Sequence, residues 1–350
     1  MRNRRYLIIG LAVLLLSGVI MALAPILAPF VSGKRRQSVS AWISAPGQAA
    51  AIGSIKNHAD RLSSLSPMWY VINEQGRLKR DWIGDPKVAK AAIDRGIQLI
   101  PTISNRFDPT ATAAMLTDPG LKRRFIDDTA GLIKKNGYNG IDLDFENMRA
   151  EDRDRFTRFV GELKSRLAPL GALLTLDLHA KTSEPGGWQG PISHDYAGLA
   201  RHADQLRVMA YDEHYAGGPP GPIASLKWVR RVLRFAKSKV PPAKLVLGIP
   251  LYGYDWGEST PTKSVTFRQG VNEAGLHNAT VKWDKTAAAP WFTYDLDGKR
   301  HTVWFENARS AAAKLDIPEA KNIRGFSFFR LGIEDPAVWQ ELDKRIYATY

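Results

Sequence analysis

From residue 38 onward, short apolar runs alternate with helical patterns. The runs that read as strands are residues 38–45, 67–73, 97–103, 139–146, 173–180, 205–211, 244–250 and 324–330. The clearest helical stretches between them are 87–95, 119–135, 150–167, 225–238, 306–315 and 336–348. In 150–167 the apolar positions Phe156, Phe159, Val160, Leu163 and Leu167 form a stripe of helical period. Eight strands alternating with helices imply parallel pairing through right-handed crossovers. Eight such units fit an α/β fold, a (β/α)8 TIM barrel, which typically takes about 250 residues. An open doubly wound sheet is the alternative, but it carries a glycine-rich phosphate turn after its first strand, and neither that motif nor a Walker lysine occurs here. Between Trp256 and Thr302 the period is lost among Gly, Thr, Asp and Pro, which predicts a small α+β insertion at about 257–302, between strand seven and its helix.

The first 37 residues differ from the rest. Tyr6 to Val31 is a run of 26 residues with no charge, longer than the ~20 that cross a bilayer as a helix and long for the ~7–15-residue core of a cleaved signal. Ala22-Leu23-Ala24 resembles a cleavage site, but Pro25 follows it directly. Arg2, Arg4 and Arg5 favour a cytoplasmic N-terminus, and Lys34, Arg35 and Arg36 on the far side weaken that bias. The expectation is an uncleaved anchor over 1–37 that holds a catalytic domain, 38–350, outside the cytoplasm. A cleaved signal would release that domain, and a buried helix of the domain itself is disfavoured because the run has no polar face.

Composition narrows the function. The chain has 350 residues, 44% hydrophobic and 10% aromatic, which excludes a disordered chain. It has no cysteine, so thiolate metal sites, disulfide scaffolds and cysteine nucleophiles are excluded. Of the net charge of +14, the segment before residue 39 carries +6, leaving +8 on the body. That balance suits an anionic polymer or surface, or simple solubility. The basic residues form no nucleic-acid motif, so no nucleic-acid partner is expected.

The most informative segment is Asn139-Gly140-Ile141-Asp142-Leu143-Asp144-Phe145-Glu146-Asn147. Side chains alternate along a strand, so Asp142, Asp144 and Glu146 share one face, ~6.6 Å apart, while Ile141, Leu143 and Phe145 share the other. In a barrel the apolar set suits the helix layer. The acids then point inward, and Glu146 sits at the C-terminal mouth, where barrel enzymes keep their chemistry. Three readings are open: a satisfied polar network, an oxygen-ligated divalent metal, or a shared-proton relay that keeps Glu146 protonated as a general acid. One straight strand gives poor octahedral geometry, and no other cluster has metal spacing, so no metal and no cofactor are expected.

This segment resembles the Asp-x-x-Asp-x-Asp-x-Glu signature of glycoside hydrolase family 18, which includes chitinases, chitinase-like lectins and spore-cortex N-acetylglucosaminidases. Met209-Ala210-Tyr211-Asp212 is similar to the family's Met-x-Tyr-Asp, Gly248-Ile249-Pro250-Leu251-Tyr252-Gly253 to its seventh strand, and Gly325-Phe326-Ser327-Phe328-Phe329-Arg330-Leu331-Gly332 to its eighth. Ser66-Pro67-Met68-Trp69-Tyr70 and Val303-Trp304-Phe305-Glu306-Asn307-Ala308-Arg309 resemble the cell-wall subgroup, and the likeness spans about 40–350. Three departures stand out. Asn139 replaces the outermost acid, leaving one member of the relay neutral. Phe329 replaces the usual Trp under the sugar. Thr102-Ile103-Ser104-Asn105 replaces the Ser-x-Gly-Gly of strand three.

The resemblance implies a retaining hydrolase that uses the substrate's own 2-acetamido group, an exception to the two-carboxylate rule. It implies Glu146 as general acid and base, Asp144 as the acceptor of the acetamide N–H, Tyr211 as donor to its carbonyl, and Asp142 as partner of Asp144. Asp212 is expected to hold sugar hydroxyls, with a helix cap as its plain alternative. Asn105, Trp69, Trp188, Tyr252, Trp304 and Phe329 complete the substrate-binding candidates, the aromatic ones because sugar faces bury well on rings. His179 and His214 receive no role. The expected partner is an N-acetylglucosamine-containing polysaccharide, peptidoglycan or a related envelope glycan more than chitin. A lectin on the same fold and a scaffold without an active site are the competing readings; the oligomeric state stays open.

Overall fold

The computed structural model describes residues 37–81 and 84–346. The expected anchor lies outside them; among the described residues no helix is long and apolar enough to cross a membrane. Eight parallel strands close into a barrel: β1 (Ser38–Ile43), β2 (Ser64–Ile72), β3 (Thr102–Ser104), β4 (Gly140–Asp144), β5 (Leu173–His179), β6 (Gln205–Met209), β7 (Leu245–Pro250) and β8 (Gly325–Phe329). Each pairs with its neighbour in sequence, and β1 pairs with both β2 and β8, which completes the ring.

The predicted strand at 97–103 is observed in two pieces, Gln98–Leu99 and Thr102–Ser104, on either side of Pro101. Proline has no N–H to give the ladder. Its carbonyl still accepts from Asp142 N–H at 3.1 Å, so β4 stays in register through the break.

The side-chain alternation sorts as the period demands. Ile141 and Leu143 of β4, Leu174, Leu176 and Leu178 of β5, and Leu206 and Val208 of β6 are buried in the apolar core. The helix Arg153–Leu167 buries its whole stripe, Phe156, Phe159, Val160, Leu163 and Leu167, at about 1.5–3 kcal/mol for each large side chain. Phe145, one residue past β4, is fixed among Phe125, Phe156 and Phe159, with ring centroids 6.0–6.4 Å away. That anchor turns its neighbour Glu146 the other way, toward the barrel axis.

After β7 the chain builds an antiparallel sheet of five strands, Tyr252–Gly257, Lys263–Thr266, Lys282–Asp284, Ala289–Leu296 and Lys299–Phe305, with the helix Phe267–Leu276 beside it. This insertion is wider than the span at 257–302, because the strand Tyr252–Gly257 runs directly out of β7 and the strand Lys299–Phe305 runs on toward the next helix, so their residues 252–256 and 303–305 continue the flanking pattern. Two helices absent from the sequence reading, Gln48–His58 and Pro109–Thr117, also follow β1 and β3. Both are rich in small residues and carry too narrow an apolar stripe to signal a helix.

Candidate active site

The inward faces of β3, β4, β5 and β6 place acids and their donors at matching heights. Thr102 lies opposite Asp142, and Asp142 opposite Thr175. Asp177 lies opposite Arg207. Four donors converge on Asp142, which is fully buried: Trp42 Nε1 at 3.1 Å, Thr102 Oγ1 at 3.1 Å, Arg207 Nη1 at 3.2 Å and the Thr175 hydroxyl. Trp42 Nε1 also donates to Asp177 at 2.8 Å. Arg207 Nη1 donates to Ser66 Oγ at 2.6 Å, and its guanidinium lies 5.6 Å from the centre of the Trp42 ring.

Above this layer a cleft of about 530 Å³ opens at the C-terminal mouth. Asp144, Glu146, Asp177, Tyr211 and Asp212 line it. Burial, and then the nearby Asp142, push Asp144 up to about 7. Burial holds Glu146 well above the usual carboxylate range, and the charges of Asp144 and Asp212 add to the shift. A hydrogen bond joins Asp144 and Glu146 and favours the proton on Glu146. Asp177 is also held well above its ordinary value, first by burial and then by Asp142 and Asp144. Four neighbouring buried carboxylates, with one buried guanidinium beside Asp142 and Asp177, cannot all ionise. The arrangement therefore favours the protonated form of Glu146, as a general acid requires.

The backbone of Glu146 is clamped. Asn105 Nδ2 donates to its carbonyl at 2.7 Å, and Asn105 Oδ1 accepts its N–H at 2.9 Å. Next in the chain, Asn147 takes a left-handed φ of 54°, which asparagine tolerates better than most residues. Its N–H donates to His179 Nε2 at 3.2 Å. With Nε2 accepting, the neutral ring carries its proton on Nδ1, which faces Glu146 Oε2 at 3.5 Å. Burial pushes His179 down to about 4, so the ring is neutral at physiological pH.

Tyr211 stacks 5.5 Å from Phe329, and Phe329 lies 6.0 Å from Trp42, forming an apolar floor. Gly248 makes room for that tyrosine: a Cβ there would meet Val208 O at 2.7 Å and Tyr211 Cε1 at 3.1 Å. Burial raises the Tyr211 hydroxyl well above its usual value, so it stays a proton donor. Asp212, at a left-handed φ of 58°, accepts from the Tyr252 hydroxyl and from Tyr254 at 3.2 Å. It caps no helix; its carboxylate faces the cleft.

The structure brings Asp144, Glu146, Tyr211, Asp212, Tyr252 and Phe329 into one cleft, with Asp142 directly beneath. The other candidates sit elsewhere. Trp69 is 2% exposed; it lies against Gly84 and donates Nε1 to Gln48 at 2.9 Å, so it is core and not a sugar platform. Asn105 is fully buried, and its amide is spent on Glu146, which makes it a positioning residue and not a substrate ligand. Trp304 stacks on Trp291 at 5.5 Å within the insertion sheet and stays out of the cleft wall. Trp188 is 51% exposed and packs edge-on to His179 at 4.9 Å, beside the cleft but not lining it. Asn139 is exposed at the opposite end of β4, where Oδ1 accepts Leu99 N–H at 2.8 Å; it is no member of a proton relay.

Sequence reasoning missed Trp42, Asp177, His179 and Arg207. The signal was present. Thr175, Asp177 and His179 alternate with Leu174, Leu176 and Leu178, and Arg207 lies between Leu206 and Val208. That is the same inward polar pattern read on β4. Among the described residues, no group of His, Asp and Glu is arranged to hold a metal ion.

Comparison with known proteins places the chain in a family. The Bacillus subtilis cortical fragment-lytic enzyme is 33% identical over 252 residues, covering 69% of this chain and 58% of that protein. The crystal structure of the Bacillus cereus spore cortex-lytic enzyme SleL superposes with a TM-score of 0.81 at 30% identity, covering 90% of this chain and 75% of that one. A chitinase from Chromobacterium violaceum gives 0.82 at 28% identity, covering 90% and 100%. The model of the glycosyl hydrolases family 18 matches residues 70–334. The acids at the barrel mouth and this match over most of the chain lead to one conclusion: the protein is a glycoside hydrolase of family 18.

Proposed function

We propose that this chain hydrolyses β-linked N-acetylglucosamine in a bacterial envelope glycan, peptidoglycan or a close relative, with retention and with help from the substrate's acetamido group. Glu146 protonates the glycosidic oxygen. The acetamide carbonyl oxygen attacks the anomeric carbon as that bond breaks, and an oxazolinium forms. Asp144 accepts the acetamide N–H and offsets the developing positive charge. Tyr211 donates to the acetamide oxygen. Water, deprotonated by the Glu146 carboxylate, then opens the ring and restores the acid.

One observation carries this reading. Asp144 Oδ1 is buried at the cleft floor with no hydrogen-bond partner among the described residues, although its other side meets Glu146. An unpaired buried acceptor costs about 1–3 kcal/mol, and an acetamide N–H would satisfy it. The wall polymer is favoured over chitin by likeness to the cortical fragment-lytic enzymes. The uncharged run 6–31 and Arg2, Arg4 and Arg5 support a catalytic domain held outside the cytoplasm, where such a polymer lies.

The test is a digest by the full-length protein of peptidoglycan, chitin oligomers and poly-N-acetylglucosamine, with product masses read out. New reducing ends from an N-acetylated glycan, lost in Glu146→Gln and lost when the glycan is de-N-acetylated, are the expected result. Binding without turnover, unchanged by Glu146→Gln, would instead identify a lectin.

A further inference from the structure

Two arginines reach the cleft, and their surroundings differ. Arg106 ion-pairs with Asp81 across the rim. Arg330, one residue beyond the Phe329 floor, reaches from the end of β8 to the loop after β1 and donates Nη1 to Ser44 Oγ. Among the described residues no carboxylate lies within ion-pair reach of it. Burial alone acts on its pKa, downward, with no charge opposing it.

A guanidinium does not lose its proton near neutral pH. A half-buried one without a counter-ion is costly unless an anion arrives to meet it. The fold makes space for this head group. Gly47 has no side chain, and a Cβ there would stand 2.9 Å from Arg330 Nη1.

We propose that Arg330 is a carboxylate-binding subsite at the β1–β8 edge of the cleft, so that the protein prefers an N-acetylated glycan bearing a carboxylate over an uncharged one. This rests on the hydrolase reading above and narrows its substrate class. The planar fork of arginine matches a carboxylate with two parallel bonds. On a wall glycan that group comes from the lactyl ether of a muramic acid or from its peptide stem.

The experiment uses the full-length protein and four substrates: peptide-free muramyl strands, the same strands with the lactyl carboxylate converted to an amide, peptide-bearing strands, and chitin oligomers. The wild type is expected to show a kcat/KM about tenfold higher on carboxylated than on amidated strands, through KM, as one charge-assisted contact would give. In Arg330→Gln that ratio falls to about one, and Arg330→Lys keeps part of it, since it retains charge but not the fork. Gly47→Ala displaces the head group without removing it and lowers the ratio as well. A preference confined to peptide-bearing strands, and lost in Arg330→Gln, places the carboxylate on the stem. The proposal is overturned if the wild type does not discriminate, or if Arg330→Gln lowers both activities alike. Should no strand be cut by any variant, the hydrolase reading fails on its own. Binding of carboxylated against amidated strands by Glu146→Gln then still decides the subsite.

Discussion

His179 Nδ1 stands 3.5 Å from Glu146 Oε2, and its other ring nitrogen is occupied by the N–H of Asn147. A neutral imidazole so held can donate only toward the acid. From there its N–H is placed to steady the Glu146 anion left after proton transfer. In His179→Ala the alkaline limb of kcat/KM should move to higher pH. Its loss in kcat should be smaller than the about 10²–10⁴-fold that general acid–base catalysis supplies. An unmoved pH profile would reduce His179 to packing.

Glu146→Gln should lower kcat by about 10²–10⁴-fold and leave Tm unchanged or raised, because the substitution removes a buried acid and keeps its shape. Asn105→Ala should differ in kind. It strips partners from both backbone groups of Glu146, at about 1–3 kcal/mol for each buried polar group left unsatisfied, so Tm and kcat fall together. Thermal melts beside initial rates separate the two.

The acid cluster sets a pH dependence of stability. Asp144 titrates at about 7 in the fold, against an ordinary value near 3.8. The native state therefore binds more protons than the unfolded chain between those values, and stability falls as pH rises through that window. Asp144→Asn should raise Tm by a few degrees at pH 8 and change it little at pH 4. His179 works oppositely. Its value of about 4 lies below the ordinary 6.5, so its contribution is present above pH 6.5 and is lost as pH falls toward 4.

Arg207 is the buried cation beneath four acids. Arg207→Met removes one partner of the ion pair with Asp142, and such changes cost about 3–5 kcal/mol. The double substitution Arg207→Met with Asp142→Asn should recover part of that loss, which denaturant unfolding would show.

Trp69 and Phe329 offer a contrast between core and cleft. Trp69→Ala should cost about 3–5 kcal/mol of stability, with KM for oligosaccharide unchanged in the fraction that folds. Phe329→Ala should raise KM with a smaller stability loss. A KM effect for Trp69→Ala would contradict its placement against Gly84.

The barrel was legible because its strands and helices carry clear periods. The stripe in Arg153–Leu167 and the alternation in β4 are both present as read. The acid face was legible for the same reason, since Ile141, Leu143 and Phe145 leave Asp142, Asp144 and Glu146 one direction to point. Which aromatics face the cleft was not legible. Trp69 lies within an apolar run and Tyr252 just past one, and only the packing of Gly84 against one and of Asp212 against the other separates them. Asn105 misled because its amide serves a backbone far away in sequence, and a one-dimensional pattern does not display that pairing. Asp177 and Arg207 were readable on β5 and β6 but were overlooked among hydrophobic neighbours.

The clamp on Glu146 has one more effect. Asn105 Nδ2 also meets Thr112 Oγ1 at 3.1 Å, inside the helix Pro109–Thr117. The aim of the acid is thus inherited from a helix on the outside of the barrel. Drift in that outer layer would detune catalysis without altering any group a sugar can touch.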